Sequence, residues 1–212
     1  MMVDDDFFAR DACEVAKDLI GKVLRRRTDG LWLSAAIVET EAYYMRERAS
    51  HASLGRTPSR EALFAPPGTI YMYYARGGDS LNVSCLGDGD AVLIKAGMPQ
   101  VDAISKANSL ERMRVLNPGP RGQIRADERL CGGQTLLARA LGLRVPEWNG
   151  QRFRRRLFYV DDIGYRPLEI IETPRIGIPA GRDEHLMYRF VDASRAQYAT
   201  PRALRREPAT DR

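Results

Sequence analysis

Residues 36–44 read Ala-Ile-Val-Glu-Thr-Glu-Ala-Tyr-Tyr, and this stretch decides the fold that the sequence predicts. β-Branched and aromatic residues dominate it and no glycine or proline interrupts it, which predicts a strand. Because side chains alternate across a strand, one face would carry two carboxylates and an aromatic ring in a row, a combination suited to stacking a flat ligand and moving a proton. A solvated edge strand with a polar face is the alternative interpretation. The expected row is Ile37, Glu39, Glu41 and Tyr43, with Val38, Thr40, Ala42 and Tyr44 opposite.

Outward from this strand, turn signals and periodicity predict the other elements. Asp-Gly at 29–30 separates two strand-like runs, which is a strong signal for a β-hairpin. Residues 45–65 have no clear period and predict a long loop, a feature that is more often functional than not in compact domains. Helices are expected at 7–20, 101–116 and 135–141, and further strands at 22–27, 69–74, 81–85, 91–95, 157–160, 168–171, 175–178 and 187–191.

These elements predict the α+β class: a single mixed domain around a curved antiparallel β-sheet, with helices packed outside and a protruding β-hairpin. A chain of 212 residues is long enough for one such core. We expect the domain to occupy residues 1–199. Residues 200–212 contain several arginines and two prolines, and they predict a disordered basic tail.

Composition excludes several classes of protein. The apolar content of 44% and charged content of 29% are ordinary for a globular domain. No apolar run approaches ~18 residues, which excludes a membrane span, and the acidic start of the chain is not a signal peptide, so we expect a cytoplasmic protein. Three cysteines without a CxxC pair, and only two histidines, argue against a zinc site or an iron–sulfur cluster. No metal and no cofactor is expected.

The basic side chains are 29 arginines and 4 lysines, and the pI is about 9.3. The planar guanidinium group suits phosphate, so this bias favours a polyanionic partner such as nucleic acid. A GC-rich genome would produce the same bias, and that alternative stays open. The runs of three arginines at 25–27 and 154–156 are expected on solvated strand faces.

Tyrosines gather on the two strands that flank the 45–65 loop, which itself contains His51. Rings on neighbouring strands can sandwich a planar base, each stack contributing about 1–3 kcal/mol. Ordinary packing of the sheet is the competing explanation, and the carboxylate of Glu41 beside one of the rings weighs against it. The tyrosines are Tyr43, Tyr44, Tyr71, Tyr73 and Tyr74, of which Tyr71 and Tyr73 are expected to share a face.

Several separate motifs follow one another in an order typical of a known family. They are Val-Ala-Lys-Asp-Leu-Ile-Gly-Lys at 15–22, Glu-Thr-Glu-Ala-Tyr at 39–43 with His51 in the next loop, Pro-Gly-Thr-Ile-Tyr-Met-Tyr at 67–73, Asn82 before Gly-Asp-Gly at 87–89, Val-Leu-Ile-Lys at 92–95 and Pro-Arg-Ile-Gly-Ile at 174–178. Together they resemble the alkyladenine (3-methyladenine) DNA glycosylases of the vertebrate and Bacillus type. The resemblance covers roughly residues 7–191.

The resemblance implies a role for each matching position. Glu41 would be the general base that activates the hydrolytic water. Lys95, in place of a family arginine, and the backbone carbonyl of Ile176 would help to hold that water. The pocket for the flipped base would be formed by Tyr43, His51 and Tyr73, with Asn82 at its floor excluding the exocyclic amino group of guanine.

The implied activity is that of a monofunctional DNA glycosylase of base excision repair. A base in a duplex hides its glycosidic bond, so the nucleotide must be flipped out first. A purine alkylated at N3 or N7 already carries positive charge and leaves readily, so one carboxylate can suffice. The implied partner is double-stranded DNA containing alkylated or deaminated purines, bound by a monomer, in the cytoplasm of a bacterium at its nucleoid. Candidate substrates are 3-methyladenine and 7-methylguanine, with hypoxanthine and ethenoadenine as further possibilities.

Two segments depart from the family pattern. The family inserts a tyrosine into the minor groove from the tip of the hairpin after the second aromatic strand, but the tip at 74–80 lacks a ring at that place. Arg76 is the candidate for that insertion, with Tyr74 beside it, and contact with phosphate alone is the alternative. The loop at 130–136 lacks the usual Gly-Pro and basic residue, although Gln134 and Thr135 can donate to phosphate.

Two other classes of function remain open from the sequence. One is a damaged-DNA-binding module that keeps the pocket without catalysis. The other is a metal-dependent nuclease that uses Glu39, Glu41, Asp88 and Asp90, although Gly-Asp-Gly-Asp at 87–90 fits a tight turn better than a metal loop.

Overall fold

The computed structural model describes residues 1–75 and 77–201, and its centre is an antiparallel sheet of eight strands. The strand order is β3-β4-β5-β2-β1-β6; β8 pairs with both β2 and β7. The mixed α+β class is confirmed, and the sheet is not closed. The strands are β1 (Val23–Thr28), β2 (Leu31–Tyr43), β3 (Ile70–Ala75), β4 (Gly78–Ser84), β5 (Ala91–Pro99), β6 (Phe158–Asp161), β7 (Ile170–Thr173) and β8 (Arg189–Asp192).

Helices are short and pack against this sheet. The longest, α3, contacts β2, and α5 contacts β4 and β5. The α-helices are α1 (Asp5–Phe8), α2 (Ala12–Leu19), α3 (Ala107–Leu116), α4 (Asp127–Leu130), α5 (Gln134–Ala140) and α6 (Val145–Trp148); 3-10 helices cover His51–Leu54, Pro58–Phe64, Pro120–Gly122 and Ala193–Tyr198. Among the described residues, no helix has the length and apolar character needed to cross a membrane.

Local signals placed the first hairpin correctly and the first helix only in part. Asp29 and Gly30 both adopt positive φ, 50° and 76°, the geometry of a primed turn that matches the twist of the flanking strands. The helix predicted at 7–20 is divided in two. Asp11 begins the second part, because its carboxylate accepts from the backbone N–H groups of Cys13 and Glu14.

Two predictions about later segments are wrong or incomplete. Residues 175–178 form a turn and not a strand. The reason is that the backbone N–H of Ile176 donates to the side chain of Glu41 in β2 and not to the backbone of a neighbouring strand. The 45–65 segment is not featureless, since it forms two 3-10 helices that contact each other.

The central strand β2 carries a β-bulge that breaks the expected alternation. Its register against β5 shifts between Ile37 and Thr40. As a result, Ile37 packs in the same apolar cluster as Ala42, whereas Val38 packs with Val191 in a separate cluster. The prediction that Ile37 shares a face with the glutamates, and Val38 with Ala42, is therefore wrong, because an extra residue changes the phase of a strand.

The run of arginines at 25–27 is not uniformly solvated. Arg25 is buried, and its guanidinium donates to Asp161 Oδ2 at 2.6 Å and to Asp102 Oδ2 at 2.8 Å. A buried guanidinium needs such partners because an unpaired charge in the interior is costly.

Most of the predicted tail, residues 202–212, lies outside the described residues, and the domain boundary at 199 stays a prediction.

A buried hydroxyl of β2 forms a hydrogen bond with helix α2. Thr40 Oγ1 donates to the backbone carbonyl of Ala16 at 2.8 Å, and both residues are fully buried. We expect Thr40→Val, which keeps the shape but removes the donor, to lower the free energy of unfolding by about 1–3 kcal/mol. Urea denaturation measures the loss. The matched control is Thr28→Val at the half-buried end of β1, which should change stability by less than about 0.5 kcal/mol; equal losses in both variants would contradict the assignment.

Candidate active site

A cavity of about 730 Å³ opens between β3, the 3-10 helix at His51–Leu54, the start of α5 and the turn at 176–179. Its size lies within the range of small-molecule sites. Both apolar walls and polar groups line it. Of the nine residues expected in catalysis, in the base pocket or in insertion into DNA, seven line this cavity: Tyr43, His51, Tyr73, Tyr74, Asn82, Lys95 and Ile176.

Glu41 is fully buried and is held by three donors. Its Oε2 accepts from the Tyr43 hydroxyl at 2.8 Å and from Lys95 Nζ at 3.2 Å. Its Oε1 accepts from the backbone N–H of Ile176 at 3.2 Å. An ionised carboxylate offers about four acceptor positions, so these three bonds leave room for one further donor, such as a water molecule.

A second register shift, on β5 and next to the bulge of β2, places Lys95. Glu39 lies opposite Ala96 and Thr40 opposite Ile94, so Lys95 has no directly opposite residue on β2. Its ammonium instead reaches Glu41 and forms a buried ion pair. Bulges commonly redirect a side chain in this way.

The Tyr43 hydroxyl acts as a donor and not as an acid. Burial, and after it the charge of Glu41, raises the pKa of Tyr43 well above its usual value. The phenol therefore stays protonated at neutral pH and keeps its hydrogen bond to the carboxylate. On its other side, the ring lies 4.4 Å from the guanidinium carbon of Arg175.

Three aromatic rings form one wall of the cavity. The rings of Tyr71 and Tyr73 stack with centroids 5.6 Å apart, and the His51 ring meets Tyr73 edge-on at 4.4 Å. His51 Nδ1 lies 3.0 Å from the Tyr71 hydroxyl. Burial raises the pKa of Tyr71 to about 12, with a smaller contribution from Tyr73. Tyr71 was not assigned to the pocket from sequence, although its two-residue spacing from Tyr73 was the available signal.

His51 is favoured in its neutral form. Burial lowers the pKa of the imidazole below its ordinary value, and the positive charges of Arg60 and Arg182 lower it further. A neutral ring beside two phenols gives this wall no positive charge of its own at neutral pH. The rings themselves therefore add no positive charge that would repel a cationic flat ligand, although the cation of Arg182 also lines the cavity.

Asn82 lines the cavity and is buried. Its Nδ2 donates to the backbone carbonyl of Tyr71 at 3.2 Å, across the β3–β4 pair. That bond fixes the orientation of the amide. The resemblance implied a place for Asn82 at the pocket floor, and that place stays a prediction.

The β3–β4 hairpin presents Tyr74 to solvent beside the cavity. The Tyr74 side chain is 68% exposed, and Arg139 of α5 holds the hairpin tip by donating to the carbonyl of Gly77 at 2.9 Å. Arg76, the other candidate for insertion into DNA, lies outside the described residues. Its role stays a prediction.

Gln134 and Thr135 line the cavity, but they form the start of α5 and are not part of a loop as expected. Their contact with phosphate stays a prediction. Sequence reasoning missed two cationic side chains, Arg175 and Arg182. Arg182 lines the cavity, and Arg175 lies behind Tyr43. Arg175 stands next to Ile176 in the Pro-Arg-Ile-Gly-Ile motif at 174–178, and that position was the available signal for it.

The acidic residues of the nuclease alternative do not assemble. Within residues 1–75 and 77–201, no cluster of three or more histidine, cysteine or acidic side chains is arranged to hold a metal ion. Glu39 is paired with Arg189 at 2.6 Å. Asp90 accepts from the backbone N–H of Met45 at 2.8 Å.

The family model for methylpurine-DNA glycosylase matches residues 6–196. Curated relatives carry the name "Putative 3-methyladenine DNA glycosylase". One from Pseudomonas aeruginosa (strain LESB58) is 59% identical over 202 residues, covering 95% of this chain and 84% of the relative. One from Pseudomonas savastanoi pv. phaseolicola is 59% identical, with coverages of 95% and 91%. A third, from Koribacter versatilis, is 38% identical over 189 residues, covering 86% of each.

The titration of His51 tests the electrostatics of the cavity. We expect its NMR titration midpoint to lie below 6.5, because burial and the nearby arginines disfavour the imidazolium. The signals of the two histidines are separated by assignment with His185→Gln. The pKa of His51 is lower in the folded protein than in the unfolded chain. The contribution of His51 to stability is therefore fully present above the pKa of the unfolded chain, and it is lost as the pH falls through the pKa of the folded protein.

Arg60→Gln should move the His51 midpoint upward, because it removes one of the two charges that act on the ring. Arg166→Gln is the control, since Arg166 is bound to Asp162 and is not among the groups that act on His51. A midpoint at or above 6.5 in the unmodified protein would contradict the assignment.

Proposed function

The chain belongs to the methylpurine-DNA glycosylase family, whose members are hydrolases of DNA repair that cleave N-glycosidic bonds, and we propose that it flips alkylated purines out of duplex DNA and excises them by hydrolysis alone. One observation carries this proposal: a buried carboxylate with three donors, Glu41, lies beneath a cavity walled by aromatic rings. The proposed substrates are 3-methyladenine and 7-methylguanine before all others.

The aromatic wall supports base flipping. Extruding a nucleotide costs a few kcal/mol of pairing and stacking, and a ring stacked on the flipped base returns about 1–3 kcal/mol. Tyr43, His51, Tyr71 and Tyr73 are among the rings that line the cavity. Tyr74, exposed at the end of β3, is our candidate for filling the space left in the duplex, together with Arg76 of the same hairpin.

The hydrolysis we propose uses Glu41 as general base. A water molecule on the unused acceptor position of the carboxylate attacks C1′ of the flipped nucleotide while Glu41 takes its proton. The bond from C1′ to the base breaks, and its electron pair goes to the base, which leaves as a neutral molecule if it was alkylated and cationic. Lys95 and the backbone carbonyl of Ile176 would orient the water, and Asn82 would exclude the amino group of guanine.

The protonation states in the cavity favour cationic substrates over neutral ones. Hypoxanthine and ethenoadenine need a proton from a general acid before they leave. The pKa of His51 is lowered, and the pKa values of Tyr43 and Tyr71 are raised, so none of the three is a ready acid at neutral pH. We therefore propose that excision of these neutral bases is slow.

We also propose that the protein acts as a monomer at the bacterial nucleoid.

Substitution of the carboxylate tests the proposal. In a buffer containing EDTA, the wild-type protein should release free base from methylated duplex DNA. Glu41→Gln should reduce single-turnover excision by about 10²–10⁴-fold, the usual contribution of a general base, while affinity for DNA with an abasic site stays close to wild type. Chromatography of the released base and fluorescence anisotropy measure the two quantities.

Glu39→Gln is the matched control on the same strand. Glu39 bonds to Arg189 and to the backbone N–H of Thr200, not to Glu41, so its loss should lower thermal stability more than the excision rate of the folded protein. DNA binding without base release would support a binding module, and magnesium-dependent strand cleavage would support a nuclease. An active Glu41→Gln beside a dead Glu39→Gln would reverse the assignment.

Lys95 tests whether the reaction is simple hydrolysis. Its ammonium is ion-paired with Glu41 at 3.2 Å, and an ion-paired ammonium is a poor nucleophile. We therefore expect no covalent protein–DNA adduct on borohydride treatment, and Lys95→Arg, which keeps the charge, should excise at nearly the wild-type rate. Lys95→Met should lose excision, because it leaves the buried carboxylate without its cation. A borohydride adduct that disappears in Lys95→Arg would show a Schiff-base route instead.

A further inference from the structure

A second buried ion pair lies directly behind the candidate active site, and the reaction proposed above does not use it. The side chains of Arg175 and Glu47 are 0% and 3% exposed, and Arg175 Nη2 bonds to Glu47 Oε2. Neither residue lines the cavity. Two charges taken out of water at a site that touches no ligand need an explanation, because a buried pair is often no more stable than an apolar replacement.

The pair fixes the backbone on both sides of Tyr43. Arg175 Nη1 donates to the carbonyl of Ala42 at 2.8 Å, and Glu47 Oε1 accepts from the backbone N–H of Tyr44 at 2.7 Å. The residue between these two contacts is Tyr43. The end of β2 is thereby held at a defined distance from the loop that follows β7.

The same pair also acts on the donors that hold Glu41. The guanidinium carbon of Arg175 lies 4.4 Å from the centroid of the Tyr43 ring, whose hydroxyl donates to Glu41 Oε2. Ile176, the next residue in the chain, donates its backbone N–H to Glu41 Oε1. Two of the three donors are thus connected to Arg175, and only Lys95, from β5, is independent of it.

Resting on the proposed function, we infer that Arg175 and Glu47 are positioning residues for Glu41: the pair sets where Tyr43 and Ile176 place the carboxylate relative to the flipped nucleotide. It acts through these two residues and touches no reacting atom. A displacement of about 1 Å can reduce a rate by about 100-fold even when the substituted residue is remote from the chemistry. Loss of the pair therefore affects the excision step rather than DNA affinity.

The experiment replaces both charges at once, so that no charge is left buried without a partner. Arg175→Met combined with Glu47→Leu should fold with a thermal midpoint close to wild type, because an apolar pair of similar volume often matches a buried ion pair. Single-turnover excision of 7-methylguanine should nevertheless fall by about 100-fold. Affinity for DNA with an abasic site should stay within about twofold, since that ligand has no base to place.

The matched control is the buried ion pair between Glu39 of β2 and Arg189 of β8, replaced as Arg189→Met with Glu39→Leu. It is equally buried, but its further contacts include Thr173 and Thr200 and, among the described residues, do not include the donors of Glu41. Its excision rate per folded molecule should stay near wild type. Equal losses of excision in both double variants would overturn the inference, and so would a stable Arg175→Met/Glu47→Leu protein with the wild-type rate.

Arg175→Lys decides the question if the double variant does not fold. The shorter, non-planar cation keeps the charge of the pair but loses the fork that reaches Ala42 and Glu47 together. A folded Arg175→Lys protein with slowed excision and unchanged abasic-site affinity supports positioning, and an unchanged rate overturns it. The wild type and Glu41→Gln serve as reference arms. If the wild type releases no base, the proposed function fails; if only the Arg175 variants behave as wild type, the inference alone fails.

Discussion

The burial of carboxylates along β2 and just beyond its end is the constraint on which the rest of the structure depends. An ionised group in the interior must be given an opposite charge and hydrogen bonds, or its burial is prohibitively costly. Each of the three carboxylates receives its cation from a different element, so the charges link strands and loops that are far apart in sequence. The pairs are Glu39 with Arg189 of β8, Glu41 with Lys95 of β5, and Glu47 with Arg175 of the loop after β7.

The candidate site places an ionised group beside a wall that carries no charge at neutral pH. The charge is concentrated at Glu41 and Lys95, beneath the cavity, while the rings of His51, Tyr71 and Tyr73 form the wall. Burial is the common cause, because it lowers the pKa of the imidazole and raises the pKa of the phenol. Such a wall suits a flat cationic base, whose positive charge is lost as it leaves.

Two adjacent bulges connect packing with chemistry, since Val38 is the extra residue of β2 and Lys95 is the extra residue of β5. Beside the first bulge, Ile37 joins the main apolar cluster. At the second, Lys95 has no opposite residue on β2 and its ammonium reaches Glu41. One additional residue in each strand therefore serves the core and the site respectively, in keeping with the frequent occurrence of bulges beside active sites.

The sequence by itself determined what local rules and motifs govern. It placed the Asp29-Gly30 turn, because the positive φ of both residues is a local preference. Its ordered motifs also contained several of the residues that line the cavity, but not Arg182. Only the tertiary structure decided which partners meet across the chain. Arg25 is buried in an ion-pair network and not solvated, residues 175–178 turn towards Glu41 instead of forming a strand, and Arg175 reaches Glu47 over 128 positions. The physical reason is that desolvation and charge pairing depend on distance in space, which neither composition nor periodicity encodes.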